Sequence, residues 1–406
     1  MNKVLFLLLP LLLNAESLKS LLEYAKANNE LVVSKEYVRK SKQKELSSAQ
    51  KDYYPTVDAN LFYQREDDAT PFRPGTTYGA SLRVGFDVYD GGKKSYTLKQ
   101  KQGELSSISF TYSDTKKSIA LAITEDFYNI KSLEATLNAR EEASKAVKAQ
   151  LDRVKQFYNA KLATSDDVDR LQSAYDSNIY VIDSLKFQIL SLKSALELKV
   201  GKNIDSLDNS KFKKTLSQDR DELDSIQALR ADKTALLNLS EAVDSYYYPN
   251  IRIEDTYSVY GYDNEPIPLP NKQNKIMATL NMRVIDFGAI GEQKTAITLQ
   301  AKALNEQIKY KSKEQQMQLS LAKRRVETVT LNIRSSQSAL KSATSALETI
   351  TKKYNAGIVD NVVYLDALSS NTEARAFNEK SINDLELAYA MYYYYNSKNI
   401  EEFLND

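Results

Sequence analysis

The sequence contains no cysteine and no histidine. Without cysteine the chain can form no disulfide, no thiol nucleophile and no thiolate metal site. Without histidine it also lacks the commonest general base and the commonest zinc ligand. Carboxylate chemistry and Ser–Lys chemistry remain open, but no pair of such residues stands out in the sequence. We therefore expect a protein that is not an enzyme and that uses neither a metal nor a cofactor.

An excess of positive charge is missing as well. The chain carries 55 Lys and Arg residues against 54 Asp and Glu residues, and Lys3 lies in a segment that we expect to be removed. A protein that binds nucleic acid gains much of its affinity by displacing counterions from phosphates, which requires a basic surface. The charge balance therefore argues against nucleic acid as a partner.

Long apolar runs are absent beyond the N-terminus. No later stretch reaches about 18 apolar residues, so the sequence offers no candidate transmembrane helix. The first fifteen residues have the form of a secretory signal, with the basic Lys3, an apolar run over 4–13 and a cleavage site after Asn14-Ala15. The alternative for this segment is a buried N-terminal helix. We predict a signal peptide over 1–15 and an exported chain that can enter a membrane only through β-strands.

Glycine and proline are scarce, with 11 and 8 residues respectively, and so few breakers favour a small number of long helices. A seven-residue apolar repeat, typical of helices that pack along a seam, supports this expectation. In the second half of the chain its members are Leu319, Val326, Ile333, Leu340, Leu347 and Tyr354. We predict long helices over 93–160 and 289–356, followed by return helices over 166–200 and 361–396.

The same order of motifs occurs twice, about 196 residues apart. Tyr53-Tyr54-Pro55 and Tyr247-Tyr248-Pro249 each precede an alternating strand, and a second strand then leads into an Asp-Gly or Asp-Phe-Gly turn and a long helix. Each long helix ends in a matching turn, Tyr158-Asn159-Ala160-Lys161-Leu162 or Tyr354-Asn355-Ala356-Gly357-Ile358. The chain is therefore expected to consist of two structural repeats that combine strands with long helices.

Alternation of apolar and polar residues predicts two strands in each repeat, over 55–66, 78–90, 249–261 and 275–287. The pattern fits a sheet with lipid on one face and water on the other, and it also fits an ordinary half-buried sheet. Asp255 interrupts the apolar face of the third strand. Four strands cannot close a barrel around a pore, and the helices that could cover a sheet already have partners along their seams. Three chains would supply twelve strands, which is an even number within the range of membrane barrels.

The predicted organisation has five parts. They are a signal peptide (1–15), a first structural repeat (16–201), a linker (202–221), a second structural repeat (222–400) and a short tail (401–406). The repeats open with helices over 16–54 and 222–248, and the linker is expected to be irregular. The fold class is mostly α with a small β part. Coiled-coil-like helices of three chains would form an α-barrel tunnel joined to a 12-stranded transmembrane β-barrel.

With these motifs the chain resembles the TolC-type outer-membrane efflux proteins over residues 16 to about 400. The resemblance implies a homotrimer with its barrel in the lipid of the Gram-negative outer membrane and its helical tunnel in the periplasm. It further implies a periplasmic adaptor protein and an inner-membrane transporter as partners. The function implied is the passive exit duct of a tripartite efflux pump or of a type I secretion system. The resemblance indicates neither the exported substrate nor the particular partners.

The resemblance also implies a gate at the periplasmic tip of the tunnel. Asp167 and Asp366 match aspartates that ring the constriction in the family, and Tyr354 matches a tyrosine that restrains it. Val363 stands where some relatives have a further aspartate, and Val359 stands where they have an arginine that is paired in the closed state. The electrostatic latch is therefore expected to be weaker here or to be built differently.

The two turns at the helix ends are the implied contact sites for the adaptor. Their residues are Asn159, Ala160, Lys161 and Leu162 in the first turn and Asn355, Ala356, Gly357 and Ile358 in the second. Thr164 and Asp167 match a capping box at the start of the first return helix, and Asp360 or Asn361 can cap the second. Gly357 suits a left-handed turn, whereas Lys161 at the equivalent position is expected to strain that turn or to change its shape.

Two other kinds of protein are compatible with parts of the pattern. A secreted or surface coiled-coil protein, structural or adhesive, would have the sheets as soluble caps. A periplasmic enzyme or binding protein would be a compact monomer with a pocket for a small molecule, which the missing His and Cys residues and the long helices disfavour.

Overall fold

A computed structural model describes residues 16–68, 70, 75–216, 221–263 and 269–405. The predicted signal peptide lies outside the described residues, as do parts of the two strand-connecting loops and of the linker. Within the described part of the chain, no helix is both long and apolar enough to cross a membrane. The chain divides into two compact units. One unit contains 113–223, 312–406 and the chain before residue 35, and the other contains 35–112 and 224–311.

The secondary structure consists of seven α-helices and four strands among the described residues. In chain order they are α1 (Leu18–Asn28), α2 (Glu30–Lys51), β1 (Thr56–Arg65), β2 (Thr76–Tyr89), α3 (Lys93–Asn159), α4 (Ser165–Val200), α5 (Asp224–Asp244), β3 (Asn250–Tyr262), β4 (Lys272–Asn281), α6 (Ala289–Asn355) and α7 (Asn361–Tyr395). Short 3-10 helices occur at Ser245–Tyr247 and Ile400–Phe403. The long helices α3 and α6 have 67 residues each, as the duplicated sequence predicts.

The four strands form one antiparallel sheet in the order β1-β2-β3-β4. The two hairpins have the same register. Thr56 pairs with Gly85 and Arg65 with Thr76 in the first hairpin, and Asn250 pairs with Asn281 and Val259 with Lys272 in the second. Each repeat therefore builds the same hairpin, and β1 and β4 are the two edges of the sheet.

Equivalent aspartates start both long helices. Asp90 accepts hydrogen bonds from the Gly92 N–H at 3.0 Å and from the Lys94 N–H at 2.7 Å. Asp286 accepts the same bonds from Gly288 and Ile290, both at 2.9 Å. These carboxylates satisfy N–H groups that have no partner within the helix and lie at the positive end of its dipole.

The second strand of the second hairpin does not follow the prediction. We expected a strand over 275–287, but β4 begins at Lys272 and ends at Asn281. Because β3 begins at Asn250, the partner of Asn281, residues 282–287 have no neighbouring strand among the residues that the structure describes. Alternation of side chains was sufficient to predict a strand, but a strand also needs a partner for its backbone groups.

The first helix also differs from the prediction, because residues 16–54 form two helices instead of one. Asn29 has an extended backbone and is buried, and its side-chain oxygen accepts the N–H groups of Leu31 at 2.9 Å and Val32 at 3.2 Å. Its amide nitrogen donates to the carbonyl of Lys199 at 2.7 Å. Asn29 thus caps α2 and links the break to the end of α4. In the second repeat the helix predicted over 222–248 is α5 followed by a 3-10 turn.

In the unit that contains 113–223, the described linker residues, 202–216 and 221, form no helix or extended strand, as predicted, and Phe212 contributes to the core. Phe212 forms an isolated antiparallel bridge with Leu404 and packs at a ring-centroid distance of 6.1 Å from Tyr393. The buried Tyr393 ring also stacks on Phe403 at 4.0 Å, and its hydroxyl donates to the carbonyl of Lys213. Tyr393 therefore packs the end of α7 against the linker.

Candidate functional site

The turns after α3 and α6 have the same hydrogen-bond pattern. In the first turn, the Lys161 N–H donates to the carbonyl of Tyr158 at 2.9 Å and the Leu162 N–H donates to that of Phe157 at 2.8 Å. The corresponding distances in the second turn are 3.0 Å for Gly357 to Tyr354 and 2.9 Å for Ile358 to Lys353. This pair of bonds defines the Schellman motif, in which the helix ends at a left-handed residue.

The left-handed residue is Lys161 in the first turn, with φ of 60°, and Gly357 in the second, with φ of 71°. The prediction for Gly357 is confirmed. The two turns keep the same shape although one of them has a lysine at this position. An L-residue in this conformation costs about 1–2 kcal/mol because its Cβ approaches the following carbonyl. The first turn is therefore the more strained of the two.

All eight residues predicted to contact an adaptor are exposed. The apolar side chains among them are the most notable, because Leu162 is 76% exposed and Ile358 is 71% exposed. Val362, at the start of α7, is also exposed. The arrangement offers two similar apolar knobs, each next to a Schellman turn, on the same compact unit.

Asp167 holds the start of α4. The Thr164 hydroxyl donates to Asp167 Oδ2 at 2.7 Å, and the Asp167 N–H donates back to Thr164 Oγ1 at 3.3 Å. The backbone N–H of Thr164 also donates to Oδ2, which completes the predicted capping box. In α7 the cap is Asp360, whose side chain accepts the N–H of Val363 at 3.1 Å. Asn361 is therefore not needed as a cap.

Asn361 instead connects α7 to α4. Its side-chain amide is buried and donates to Asp167 Oδ1 at 3.1 Å. A second link between the repeats runs from Arg153 Nη1 on α3 to the side-chain oxygen of Asn355, at 2.8 Å. Val359, at the position of the family's arginine, makes neither contact. Two polar contacts therefore join the repeats near the turns, an amide–carboxylate bond and an arginine–amide bond.

Tyr354 lies against the same group of residues. Its ring stacks on Tyr364 of α7 with centroids 4.9 Å apart and an angle of 14° between the planes. Burial raises the pKa of the Tyr354 hydroxyl, and the Arg153 charge opposes this shift while the Asp167 charge adds to it. The two rings pack in an apolar cluster that joins α3, α4 and α7. Its buried members include Leu151, Val154, Leu171 and Leu368.

The structure brings Asp167 and Tyr354 together but leaves Asp366 apart. Asp366 is exposed on α7, and no described residue forms a hydrogen bond or an ion pair with it. Asn361, Arg153 and Tyr364 are the members of the site that sequence reasoning missed. Asn361 was considered only as an alternative cap, and its partner Asp167 lies 194 residues away in the sequence. No local signal identifies such a pair.

A second candidate surface is the sheet, which belongs to the other compact unit. Apolar side chains of all four strands are exposed on one face; they include Val57, Leu61, Tyr63, Leu82, Phe86, Ile253, Tyr257, Ile276 and Leu280. Asp255 is exposed among them, between Val84 and Ile276 in the register. A contiguous apolar surface of this kind is rare on monomeric soluble proteins and marks a membrane or partner interface.

The opposite face of the sheet is polar. Arg252 of β3 crosses over Gly85, donating from Nη1 to Asp87 Oδ1 at 2.9 Å and from Nε to Glu254 Oε1 at 2.8 Å. Lys94, at the start of α3, pairs with the other oxygen of Asp87 at 2.9 Å. These charges satisfy one another next to the helix start, and a side chain at Gly85 would collide with the guanidinium of Arg252.

Comparisons with known proteins identify one matching family model and several similar structures. Residues 21–178 match the model of a family described as outer membrane efflux protein. No curated protein matches the chain by sequence. The fold is similar to that of the Vibrio cholerae outer membrane protein VceC, with a TM-score of 0.81 and 14% identity over 94% of this chain and 96% of that one.

Two further solved structures are similar. The Campylobacter jejuni CmeC outer membrane channel has a TM-score of 0.85 and 13% identity, over 94% of this chain and 85% of that one. The open state of the Neisseria gonorrhoeae MtrE outer membrane channel has a TM-score of 0.80 and 12% identity, over 94% and 89%. At these identities the likeness establishes the fold alone.

Proposed function

Through residues 21–178 the chain belongs to the outer membrane efflux protein family, and from this premise we propose that three copies form a passive export duct. The observation that carries the proposal is the sheet with one exposed apolar face and one polar face. Three copies would supply twelve strands, with the apolar faces toward lipid and the polar faces toward a water-filled lumen.

The long helices support a tunnel on the periplasmic side of the barrel. A helix of 67 residues is about 100 Å long at about 1.5 Å per residue. We place the duct in a tripartite efflux pump or a type I secretion system, where an inner-membrane transporter selects the cargo. The transporter would be joined to the duct by a periplasmic adaptor protein.

The Schellman turns are the proposed docking sites for the adaptor. Leu162 and Ile358 are exposed apolar side chains on rigid turns, and such side chains suit a partner's hydrophobic groove. The replacement of both by serine should abolish adaptor binding without loss of the assembly, because neither side chain is part of the core. Retained binding in a pull-down with a purified adaptor would contradict this assignment.

The gate is proposed to form where three copies bring Asp167 and Tyr354 together. Asp366 is the second proposed acidic ring, on the exposed side of α7. Rings of carboxylates favour cations over anions in a pore. Asp167→Asn together with Asp366→Asn should therefore reduce the cation selectivity of the channel in a planar bilayer. An unchanged reversal potential under a salt gradient would exclude both residues from the selectivity filter.

The assembly is tested by electron microscopy of the mature chain purified from membranes in mild detergent. A threefold hollow particle with a helical section of about 100 Å is the expected result. A soluble particle without a lumen, with no need for detergent, would overturn the duct. It would instead favour a secreted coiled-coil protein with soluble sheets.

A further inference from the structure

The two edges of the sheet are exposed in a single chain. An edge strand offers unpaired N–H and C=O groups along its length and pairs readily with another strand. The inner junction of the same sheet, between β2 and β3, joins the first repeat to the second. Because the repeats are equivalent, this junction is a template for the outer junction, where β4 of one copy would meet β1 of the next.

The correspondence between the repeats is fixed by the hairpin registers. Thr56 pairs with Gly85 in the first hairpin as Asn250 pairs with Asn281 in the second. Equivalent residues of β1 and β3 are therefore 194 positions apart, and those of β2 and β4 are 196 apart. The same offsets hold at the other end of the hairpins, where Arg65 pairs with Thr76 and Val259 with Lys272.

Transfer of the inner register to the outer junction gives a specific pairing. In the chain, Asp87 of β2 lies opposite Arg252 of β3. The equivalent of Asp87 is Arg283, and the equivalent of Arg252 is Asp58. We propose that copies of this chain join edge to edge with Arg283 directly opposite Asp58 of the next copy. The inference rests on the proposed function and adds the register and the residues that set it.

The charges of the two residues support this register. The inner ion pair between Asp87 and Arg252 has a distance of 2.9 Å, and the outer pair would have the same charges exchanged between the strands. Arg283 and Asp58 are both exposed, and neither forms an ion pair with any described residue. Opposite charges on facing positions of antiparallel strands stabilise the pairing.

The same register places a second pair of opposite charges on facing residues at the other end of the strands. Gly79 lies opposite Tyr260 in the inner junction, and the equivalent residues are Lys275 and Glu66. A slip by one residue would turn every side chain of one strand to the wrong face of the sheet. A slip by two residues in either direction would place Arg283 opposite Thr56 or Asn60. Of these registers, only the proposed one places Arg283 opposite Asp58 and Lys275 opposite Glu66.

The same register accounts for the strand residues that are unpaired in the single chain. Residues 282–284 continue the alternation of β4 but pair with no described strand, and Met282, Val284 and Ile285 are exposed, Val284 to 80%. Their equivalents in the first repeat belong to β2, where Phe86 is paired with Ile253. With β1 of the next copy in place, Met282 would lie opposite Ala59, and β4 would extend to the length of β2.

Cysteine cross-linking tests the register directly, because the native chain has no cysteine. Asn60→Cys with Asn281→Cys places thiols on directly opposed residues of neighbouring copies. Within one chain these residues lie on strands separated by two others, at least about 14 Å apart, which is too far for a disulfide. Oxidation in isolated outer membranes should therefore convert most of the protein to a covalent trimer on a non-reducing denaturing gel.

Two slipped pairs and one pair within the chain serve as controls. Asn60→Cys with Thr279→Cys and Gln64→Cys with Thr279→Cys report slips of two residues in the two directions. Ser81→Cys with Ser258→Cys lies on directly opposed residues of the inner junction and should close within each chain without a change in chain number. This last variant shows that oxidation reaches the polar face of the sheet.

The outcomes separate the register from the assembly. The register would be overturned, and the duct left intact, if a slipped pair cross-linked more efficiently than the proposed pair. The same conclusion would follow from a detergent-stable trimer in which no pair between neighbouring copies cross-links. A monomer in which only the inner pair closes would overturn the duct itself. Cross-linking of the Asn60 and Asn281 variant alone, into trimers, is the result that the duplicated register predicts.

Discussion

The strained lysine in the first Schellman turn gives a prediction with a matched control inside the same chain. Lys161 and Gly357 occupy the same left-handed position in turns with the same hydrogen bonds. A Cβ on Gly357 would meet no atom within 4 Å, so a side chain there changes only the backbone energetics. Lys161→Gly should therefore relax the first turn, and Gly357→Lys should strain the second by the same amount.

The expected size follows from two opposing contributions. Relief of the left-handed conformation is worth about 1–2 kcal/mol, and the greater freedom of glycine in the opened chain returns about 0.4–1 kcal/mol. The net change is about 1 kcal/mol, or about a fivefold change in the equilibrium between closed and open turns. The amides that report it belong to Leu162 and Ile358, which bond across the left-handed residue to Phe157 and Lys353.

Hydrogen exchange of peptides that cover the two turns measures this local opening. Exchange at Leu162 should slow about fivefold in Lys161→Gly, and exchange at Ile358 should accelerate about fivefold in Gly357→Lys. The unaltered turn is the internal control in each variant. Lys161→Ala removes the charge but keeps the strain, so it should leave the rate unchanged. The reasoning fails if both turns exchange alike in the native protein or if Lys161→Gly accelerates exchange.

Three further predictions concern other contacts. Arg283→Asp should lower the temperature at which the assembly dissociates in detergent, and the additional change Asp58→Arg should restore that temperature. A double variant that dissociates at the same temperature as the single variant would refute the pairing. Burial raises the pKa of the Glu386 carboxyl, so its pKa in the folded chain exceeds its pKa in the unfolded chain. The buried charge therefore lowers the free energy of unfolding increasingly as the pH rises above the pKa of an ordinary glutamate. Glu386→Gln should thus raise the thermal midpoint at pH 8 but not at pH 4, and equal effects at both would contradict this. Asn361→Ala removes a bond to the Asp167 carboxylate, a kind worth about 1.5–3 kcal/mol, and should increase conductance in planar bilayers; unchanged conductance would separate this bond from the gate.

The helical architecture could be predicted almost completely from the sequence. The seven-residue repeat and the duplication predicted helices over 93–160 and 289–356, and the structure has α3 and α6 within one residue of these bounds. The conformation of Gly357 and the capping box at Thr164 were also predictable. These features depend on neighbours within a few turns of the same helix, so their physical cause is visible in a short window of sequence.

The strand bounds were only partly predictable, because alternation reports which face a side chain takes but not whether a partner strand exists. Residues 282–284 continue the alternation of β4, yet β4 ends at Asn281, whose partner Asn250 is the first residue of β3. Likewise, the helical pattern over 16–54 gave no sign that Asn29 would turn inward to bond Lys199.

The sequence by itself thus determined the length and number of the long helices, the duplicated plan and the turns, since each follows from local periodicity and backbone preference. Only the tertiary structure decided which distant polar groups meet. Asn361 reaches Asp167, and Arg153 reaches Asn355, because the second repeat packs its turn beside that of the first. A hydrogen bond needs its two atoms within about 3.5 Å, and across roughly 200 residues that proximity is a product of packing and not of any local pattern.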